Sequence, residues 1–340
     1  MLGTATLDAT EVSYETLTEL SAVEAVASAW NALLARSACN RAFGSAQWFI
    51  AACRSQPQMS PYVIVARRGT ALAAILPLVL IHKDMVATFA SDESDYNDIV
   101  AAPDEMDAVA CVLTRALSPN GGYQRLILSN LRDDSNCLRA VQLIKPDECM
   151  TQQDGVETSC PFIKLPPSYD DYLMTQSKSF RAALRQVERY AERDGVLVRE
   201  LNPENFSPTE LPNIFLLLHL SRFADCSPLA SANAQAFIHE VFPTLFTERR
   251  LRAFALFEAE KIVAINACMV GVKSLCLWNG GFTAEAERFS PGTLLINAGI
   301  RRAYDLHMDE YDFMRGDEPY KSRWANQEQG IVELEFKIRD

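Results

Sequence analysis

The sequence predicts an α/β (α+β) chain of two similar halves, residues 1–160 and 161–340, each a mixed, largely antiparallel sheet flanked by helices. Three observations carry this expectation. Helical and strand-like stretches follow one another in the same order in both halves, although no sequence-level repeat is visible. The run FALFEAEKIVAINACMV holds two β-rich stretches broken by the charged turn 258–261, which marks an antiparallel hairpin. Finally, 340 residues at roughly 150 per domain leave room for two cores.

In the first half, 22–36 and 46–56 read as helices and 62–68, 72–80 and 85–89 as strands. A loop through 91–98, a helix over 105–117, a strand over 125–128 and a helix over 135–143 complete it. The polar stretch 147–158 reads as the join, and PFIKL (161–165) as a strand able to pair with the other half. The second half then gives one long helix over 169–193, a strand over 196–201, helices over 211–223 and 233–246, and strands over 251–258, 262–270 and 274–279. Leu294, Leu295, Ala298, Ile300 and Tyr304 fall on one face of a helix over 293–306. A short strand over 311–315, an irregular loop rich in Gly, Pro and aromatic residues, and a final strand over 331–338 close the chain.

Composition excludes several classes of function. With 49% apolar and 22% charged residues the chain reads as globular, and 32 basic against 44 acidic residues give a net charge of −12, which repels DNA. The first twenty residues lack a basic stretch followed by an apolar one, and no uncharged apolar run approaches the ~18 residues that span a bilayer. The expectation is a cytoplasmic protein with no membrane partner. Nine dispersed cysteines without a C-x-x-C pair, Cys149 among them, and four histidines without i, i+4 spacing predict neither disulfides nor a metal site.

Glycine placement separates the halves. Gly280 and Gly281 end the third central strand and Gly292 precedes the helix over 293–306, a pattern that lets backbone amides at a helix N-terminus approach a phosphate closely. The first half has no glycine between Gly69 and Gly121. Only the second half is therefore expected to hold a phosphorylated donor.

The run SPGTLLINAGIRRAYDLHMDEYDFMRGDEPYKSRW (290–324) resembles the C-terminal signature of the CelD-type GNAT acyltransferases, a group akin to the Fem peptidyltransferases with their tandem GNAT-like halves. Looser matches are 30–33, 43–48, LPL (76–78), DYND (95–98) and SKSFRAALRQVER (177–189). The resemblance implies a tandem GNAT fold and transfer of an acyl group, acetyl or longer, from coenzyme A to a small-molecule amine acceptor. In place of the Q/R-x-x-G-x-G/A loop of many single-domain GNATs stands Arg288, Phe289, Ser290, Pro291, Gly292 and Thr293. Two donor alternatives follow from that departure, an acyl carrier protein and a Fem-like use of aminoacyl-tRNA; a rival of another class is a non-catalytic binding protein on the same fold.

Residue chemistry assigns roles within this frame, each beside a plainer reading. Asp312, on a strand among apolar neighbours, is a candidate base for the amine proton, or else a structural ion-pair partner of Arg315 or Lys321. Glu318 is the alternative base and Tyr320 a candidate acid for the departing thiolate. Lys321 and Arg315 offer charge to donor phosphates or a substrate carboxylate, and Trp324 reads as shaping the pocket. Arg288 to Thr293 form the expected donor site. The acidic loop of Asp92, Glu93, Asp95, Tyr96 and Asp98 is a candidate for the acceptor ammonium, with Asp95, Tyr96 and Asp98 as ligands. His219 reads as a core histidine with a minor claim to acid/base work. Lys178, Arg181, Arg185 and Arg189 make one helical stripe, expected to pair with Glu188 and Glu192.

Overall fold

The computed structural model describes residues 12–91, 93–144, 153–154 and 158–338. Two units emerge: unit 1 runs to Thr158 and resumes at Gly330, and unit 2 is Ser159–Gln329. Most of the stretch read as the join, with Cys149, lies outside the described residues, as does Asp92.

Unit 1 begins with β1 (Val12–Leu17), α1 (Leu20–Leu34), α2 (Ala46–Ser55), β2 (Met59–Arg68), β3 (Ala71–Ile81) and β4 (Val86–Phe89). It continues through β5 (Val100–Ala101), α3 (Met106–Ala116), β6 (Arg125–Arg132), α4 (Asn136–Ile144) and β7 (Gln153–Asp154). The sequence reading passed over β1, whose residues alternate too weakly to signal a strand; pairing along β2, from Val12↔Arg68 to Leu17↔Val63, makes it one. Strands β1-β2-β3-β4 are antiparallel neighbours, and β4 runs parallel to β6 over Val86↔Arg125, Ala87↔Leu126 and Thr88↔Ile127. Ile64, Leu76, Val112, Leu113 and Leu128 lie in the core that this sheet shares with α3 and α4.

Strands β4 and β5 are one strand interrupted, for both pair with β3, through Phe89↔Leu78 and then Val100↔Ile75. Residues of the excursion between them turn back to β6. The Asn97 N–H donates to Asn130 O at 3.1 Å, Asn97 Nδ2 to Ser129 O at 3.2 Å, and Asn130 Nδ2 to Ser94 O at 2.7 Å. Asp98, expected to hold an acceptor ammonium, instead caps α4: its carboxylate accepts from the N–H groups of Asn136 (2.9 Å), Cys137 (2.9 Å) and Ile99 (2.8 Å). A half-buried carboxylate already accepting from three backbone donors is committed to capping α4.

Unit 2 comprises β8 (Thr158–Lys164), α5 (Tyr169–Thr175), α6 (Lys178–Arg193), β9 (Leu197–Leu201), α7 (Leu211–Phe223) and α8 (Ala232–Thr247). Then come β10 (Leu251–Glu258), β11 (Lys261–Val270), β12 (Ser274–Phe282), α9 (Pro291–Asp305), β13 (Glu310–Asp312) and α10 (Pro319–Ser322). The strand order is β8-β13-β12-β11-β10-β9, antiparallel except for the parallel pair β12 and β13. Leu277 joins the core under α6 and α9, while Trp278 packs against Phe215 of α7 and Phe242 of α8, so helices cover both faces.

The long helix expected over 169–193 is two helices. Ser177 Oγ accepts from the Phe180 N–H at 3.1 Å and so caps α6, and Arg181 Nη1 donates to Leu173 O, Met174 O and Gln176 O at the end of α5. The expected pairs within the basic stripe give way too, because Glu188 turns to Asn297 (3.0 Å) and Arg301 (2.9 Å) of α9. The chain's last strand, β14 (Gln327–Lys337), was expected with the second half. Instead β14 from Ile331 to Lys337 pairs with β6 of unit 1 and places Leu334 and Phe336 in its core, while β8, which holds PFIKL, has both β13 and β14 as neighbours. Among the described residues no helix is long and apolar enough to cross a membrane, and no group of three metal-ligating side chains gathers.

Replacing Asp98 by Ala strands three buried N–H groups and lowers stability by about 2 kcal/mol or more, read from denaturant unfolding. Burial lifts the Asp98 carboxyl from its ordinary range to about 6 despite those donors. The folded state therefore binds the proton more tightly than the unfolded chain between about pH 4 and 6, and this group's contribution to stability falls as pH rises through that window. The stability gap between wild type and Asp98→Ala is accordingly wider at pH 4 than at pH 7.

Candidate active site

The site starts from a parting of strands. β12 and β13 pair only over Ser274↔Glu310, Leu275↔Tyr311 and Cys276↔Asp312, although β12 runs on to Phe282 beside β11. After Asp312 the chain bonds to the β8 side instead, with Phe313 N–H donating to Pro161 O and Gly316 N–H to Ser159 O, both at 3.0 Å. From Leu277 onward the edge of β12 that faced β13 lacks that partner strand. In that stretch the Gly280 N–H is met by the Asn279 side-chain oxygen at 3.1 Å, and the gap lies at the carboxyl ends of two parallel strands.

The chain leaves β12 through a 3₁₀ turn, Ala284–Phe289, and enters α9 at Ser290, whose left-handed φ of 54° makes the sharp bend. The Ser290 carbonyl accepts from the N–H groups of Thr293 (3.0 Å) and Leu294 (3.2 Å). A Cβ added at Gly292 meets nothing within 4 Å, so this one position in the first turn of α9, at the helix's positive end, borders open space. Arg288 pairs with Glu258 and lies over the Phe289 ring at 4.5 Å, and Phe289 is buried.

The other two glycines have a different task from the expected one. A Cβ on Gly281 would lie 2.4 Å from His219 Cα and Leu218 O, and one on Gly280 would lie 2.2 Å from Asn266 Oδ1. They let α7 and the neighbouring strand approach β12 rather than letting a phosphate in, and of the three only Gly292 borders free volume. The buried Asn266, a polar residue in the otherwise apolar middle of β11, escaped the sequence reading, although that mismatch was its signal.

Asp312 ends β13, fully buried, with Oδ1 accepting from the Met314 N–H at 2.7 Å and Oδ2 within 3.5 Å of Gln329 Nε2. Tyr311 and Phe313 point the other way, into the core. The loop that follows carries Arg315, Glu318, Tyr320 and Lys321, with Glu318 to Lys321 forming the entry and first turns of α10, a helix the sequence reading missed. Lys321 is 3% exposed: Nζ donates to Arg315 O at 2.6 Å, lies 3.4 Å from Met314 O and Gly316 O, and pairs with Glu318 Oε2 at 2.8 Å. Tyr320 remains 41% exposed, its ring edge-on to Phe313, and desolvation followed by the Glu318 charge pushes its phenol upward. Trp324 is buried edge-on against Phe180, and its carbonyl accepts from Tyr172 OH at 3.0 Å.

His219 is held from both sides, Nδ1 to Gly280 O at 3.0 Å and Nε2 to Ser227 Oγ at 2.6 Å, and stacks on Phe215. A carbonyl partner assigns the proton to Nδ1, and burial lowers the ring's proton affinity. Asp95, Tyr96 and Asp98 belong to unit 1, where Tyr96 lies under the Arg132 guanidinium at 5.3 Å. The residues that gather at the open ends of β12 and β13 are thus Gly292 with its flanking loop, Asp312, and the 315–321 segment.

Residues 178–322 match the family described as Acetyltransferase (GNAT) domain. Among solved structures, FemX is similar over 94% of this chain and 96% of its own, at 10% identity and a TM-score of 0.60. L-PGS from Bacillus licheniformis is similar over 92% of each chain, at 11% identity and a TM-score of 0.58. A tandem GNAT protein from the clavulanic acid biosynthesis pathway is similar over 97% of this chain and 99% of its own, at 11% identity and a TM-score of 0.50. No curated protein matches the sequence. The chain has a GNAT-like α/β fold, a mixed sheet flanked by helices, and the acetyltransferase domain matched over 178–322 supports a transferase.

The glycine assignment is tested by a pair of variants. Gly281→Ala forces backbone against backbone and costs about 2 kcal/mol or more in thermal or denaturant unfolding. Gly292→Ala leaves stability unchanged or raises it by a few tenths of a kcal/mol, since its added methyl meets only open space.

Proposed function

We propose that this protein transfers an acyl group, acetyl or longer, from a coenzyme A thioester to the primary amine of a small metabolite, as a CelD-type member of the GNAT acyltransferases. The observation that carries the reading is the parting of β12 and β13 after Cys276↔Asp312, with the open first turn of α9 at the same strand ends.

In this reading the Gly292 N–H, at the N-terminal end of α9, receives the diphosphate of the donor. The donor's pantetheine arm runs along the unpaired edge of β12, and a β12 backbone N–H stabilises the oxyanion formed as the amine attacks the thioester carbonyl. Asp312 takes the ammonium proton directly or through a water, and Tyr320, which stays protonated, returns one to the leaving thiolate. The tetrahedral adduct collapses to amide and free thiol, so none of the cysteines is needed as a nucleophile. Arg315 supplies exposed charge beside the cleft, and Trp324 with Phe180 supports the loop from beneath. His219, neutral and doubly held, serves packing. An acyl carrier protein or an aminoacyl-tRNA is the alternative form in which the acyl group arrives.

Incubation with a mixture of acyl-CoAs followed by native mass spectrometry retains one of them, and thiol is released when a suitable amine is added. Retention of none, together with activity abolished by ribonuclease, would transfer the assignment to the aminoacyl-tRNA reading. Asp312→Asn lowers kcat by about 100-fold or more, within the usual range for a lost general base. Gly292→Leu raises the donor KM about tenfold at unchanged thermal stability, because the side chain fills the space left for phosphate.

A further inference from the structure

We infer that Lys321 is a positioning residue: by holding the Met314–Gly316 backbone, its ammonium group keeps the Met314 N–H on the Asp312 carboxylate. The inference rests on the reading of Asp312 as the proton acceptor.

A lysine with 3% exposure needs partners for all its donors. Lys321 has three N–H groups, and they meet four acceptors: Met314 O, Arg315 O, Gly316 O and Glu318 Oε2. No donor is left for a phosphate or a substrate carboxylate, which removes the roles that sequence chemistry suggested for it. The held backbone is one that would not hold itself. Met314 sits at φ 60°, a left-handed conformation that costs a side-chain-bearing residue roughly 1–2 kcal/mol. Gly316 sits at φ 116°, and a Cβ there would lie 2.5 Å from Glu318 Oε2 and 3.1 Å from Lys321 Nζ. The clamp and the glycine are fitted to each other.

What the strained turn accomplishes is local. It brings the Met314 N–H to 2.7 Å from Asp312 Oδ1, and a donor on a carboxylate favours its charged form, the form able to accept a proton in a buried place. Cys276 of β12 and Phe162 of β8 are in register with Asp312, Gln329 of β14 lies 3.5 Å from its carboxylate, and the charged residues Arg315, Glu318 and Lys321 follow on its own loop. Only a compact ammonium can point at three carbonyls in one turn, since the planar fork of arginine cannot converge on them.

The test is Lys321→Met, which keeps length and removes the donors. Amide exchange at Met314, followed by NMR or by mass spectrometry on the full chain, speeds up about tenfold or more as its opening becomes easier. With an acyl-CoA and amine as substrates, kcat falls about 30-fold while the donor KM stays within twofold, and the acid limb of the pH profile moves upward as Asp312 loses its donor. Lys321→Arg fails to restore kcat. Should Lys321→Met not fold, Glu318→Gln weakens the same clamp through its exposed partner and gives the same changes at smaller size. Unchanged Met314 exchange with an unchanged pH limb in a folded variant overturns the inference. Full activity of Asp312→Asn overturns instead the reading of Asp312 as base, and the exchange measurement keeps the two failures apart.

Discussion

A backbone N–H inside a sheet is either bonded to a neighbouring strand or available to something else, and unit 2 depends on that alternative. β12 has a full partner in β11 but loses β13 after three pairs, because the chain beyond Asp312 bonds toward β8. Chain connectivity sets the rest: β12 leads through the 3₁₀ turn into α9, and β13 leads into the loop of 314–321. The proposed donor site and the proposed base both lie at this strand end, which is why the reading depends on one strand that stops early.

Unit 1 shows what the same plan becomes without the opening. β4 and β6 pair in parallel over three residues, as β12 and β13 do, yet the excursion between β4 and β5 turns its own amides and carbonyls onto Ser129 and Asn130. Its acids follow suit, with Asp98 spent on the N-terminus of α4. A small concavity there, lined by Trp30, Phe43, Trp48 and Phe89, has its Ser94 hydroxyl engaged by Trp48 Nε1 at 2.7 Å. The absence of glycine between Gly69 and Gly121 pointed to this difference, although the reason is a filled gap and not a blocked phosphate.

Much of the fold was legible in the chain itself, and part of the site was. The hairpin at 258–261, the amphipathic helix α9 and the apolar helix α7 fell where hydrophobic period and turn residues put them. Asp312 could be singled out because an acid between Tyr311 and Phe313 breaks the apolar run, and Gly292 because it precedes a helix. Gly280 and Gly281 admit protein, whereas Gly292 borders open space: a glycine in sequence announces close approach but does not say of what.

Period, capping and turn chemistry act over a few residues, so the sequence alone determined most of which segments are strands and helices. Contacts between distant residues act only once the chain has closed on itself. That closure decided that α7 and the side chain of Asn266 press on the glycines of β12, that the last strand joins the first unit's sheet, and that Lys321 turns inward to three carbonyls instead of outward to a ligand. In each case the deciding partner lies across a turn or many residues away, and free energy of burial, not local propensity, chose it.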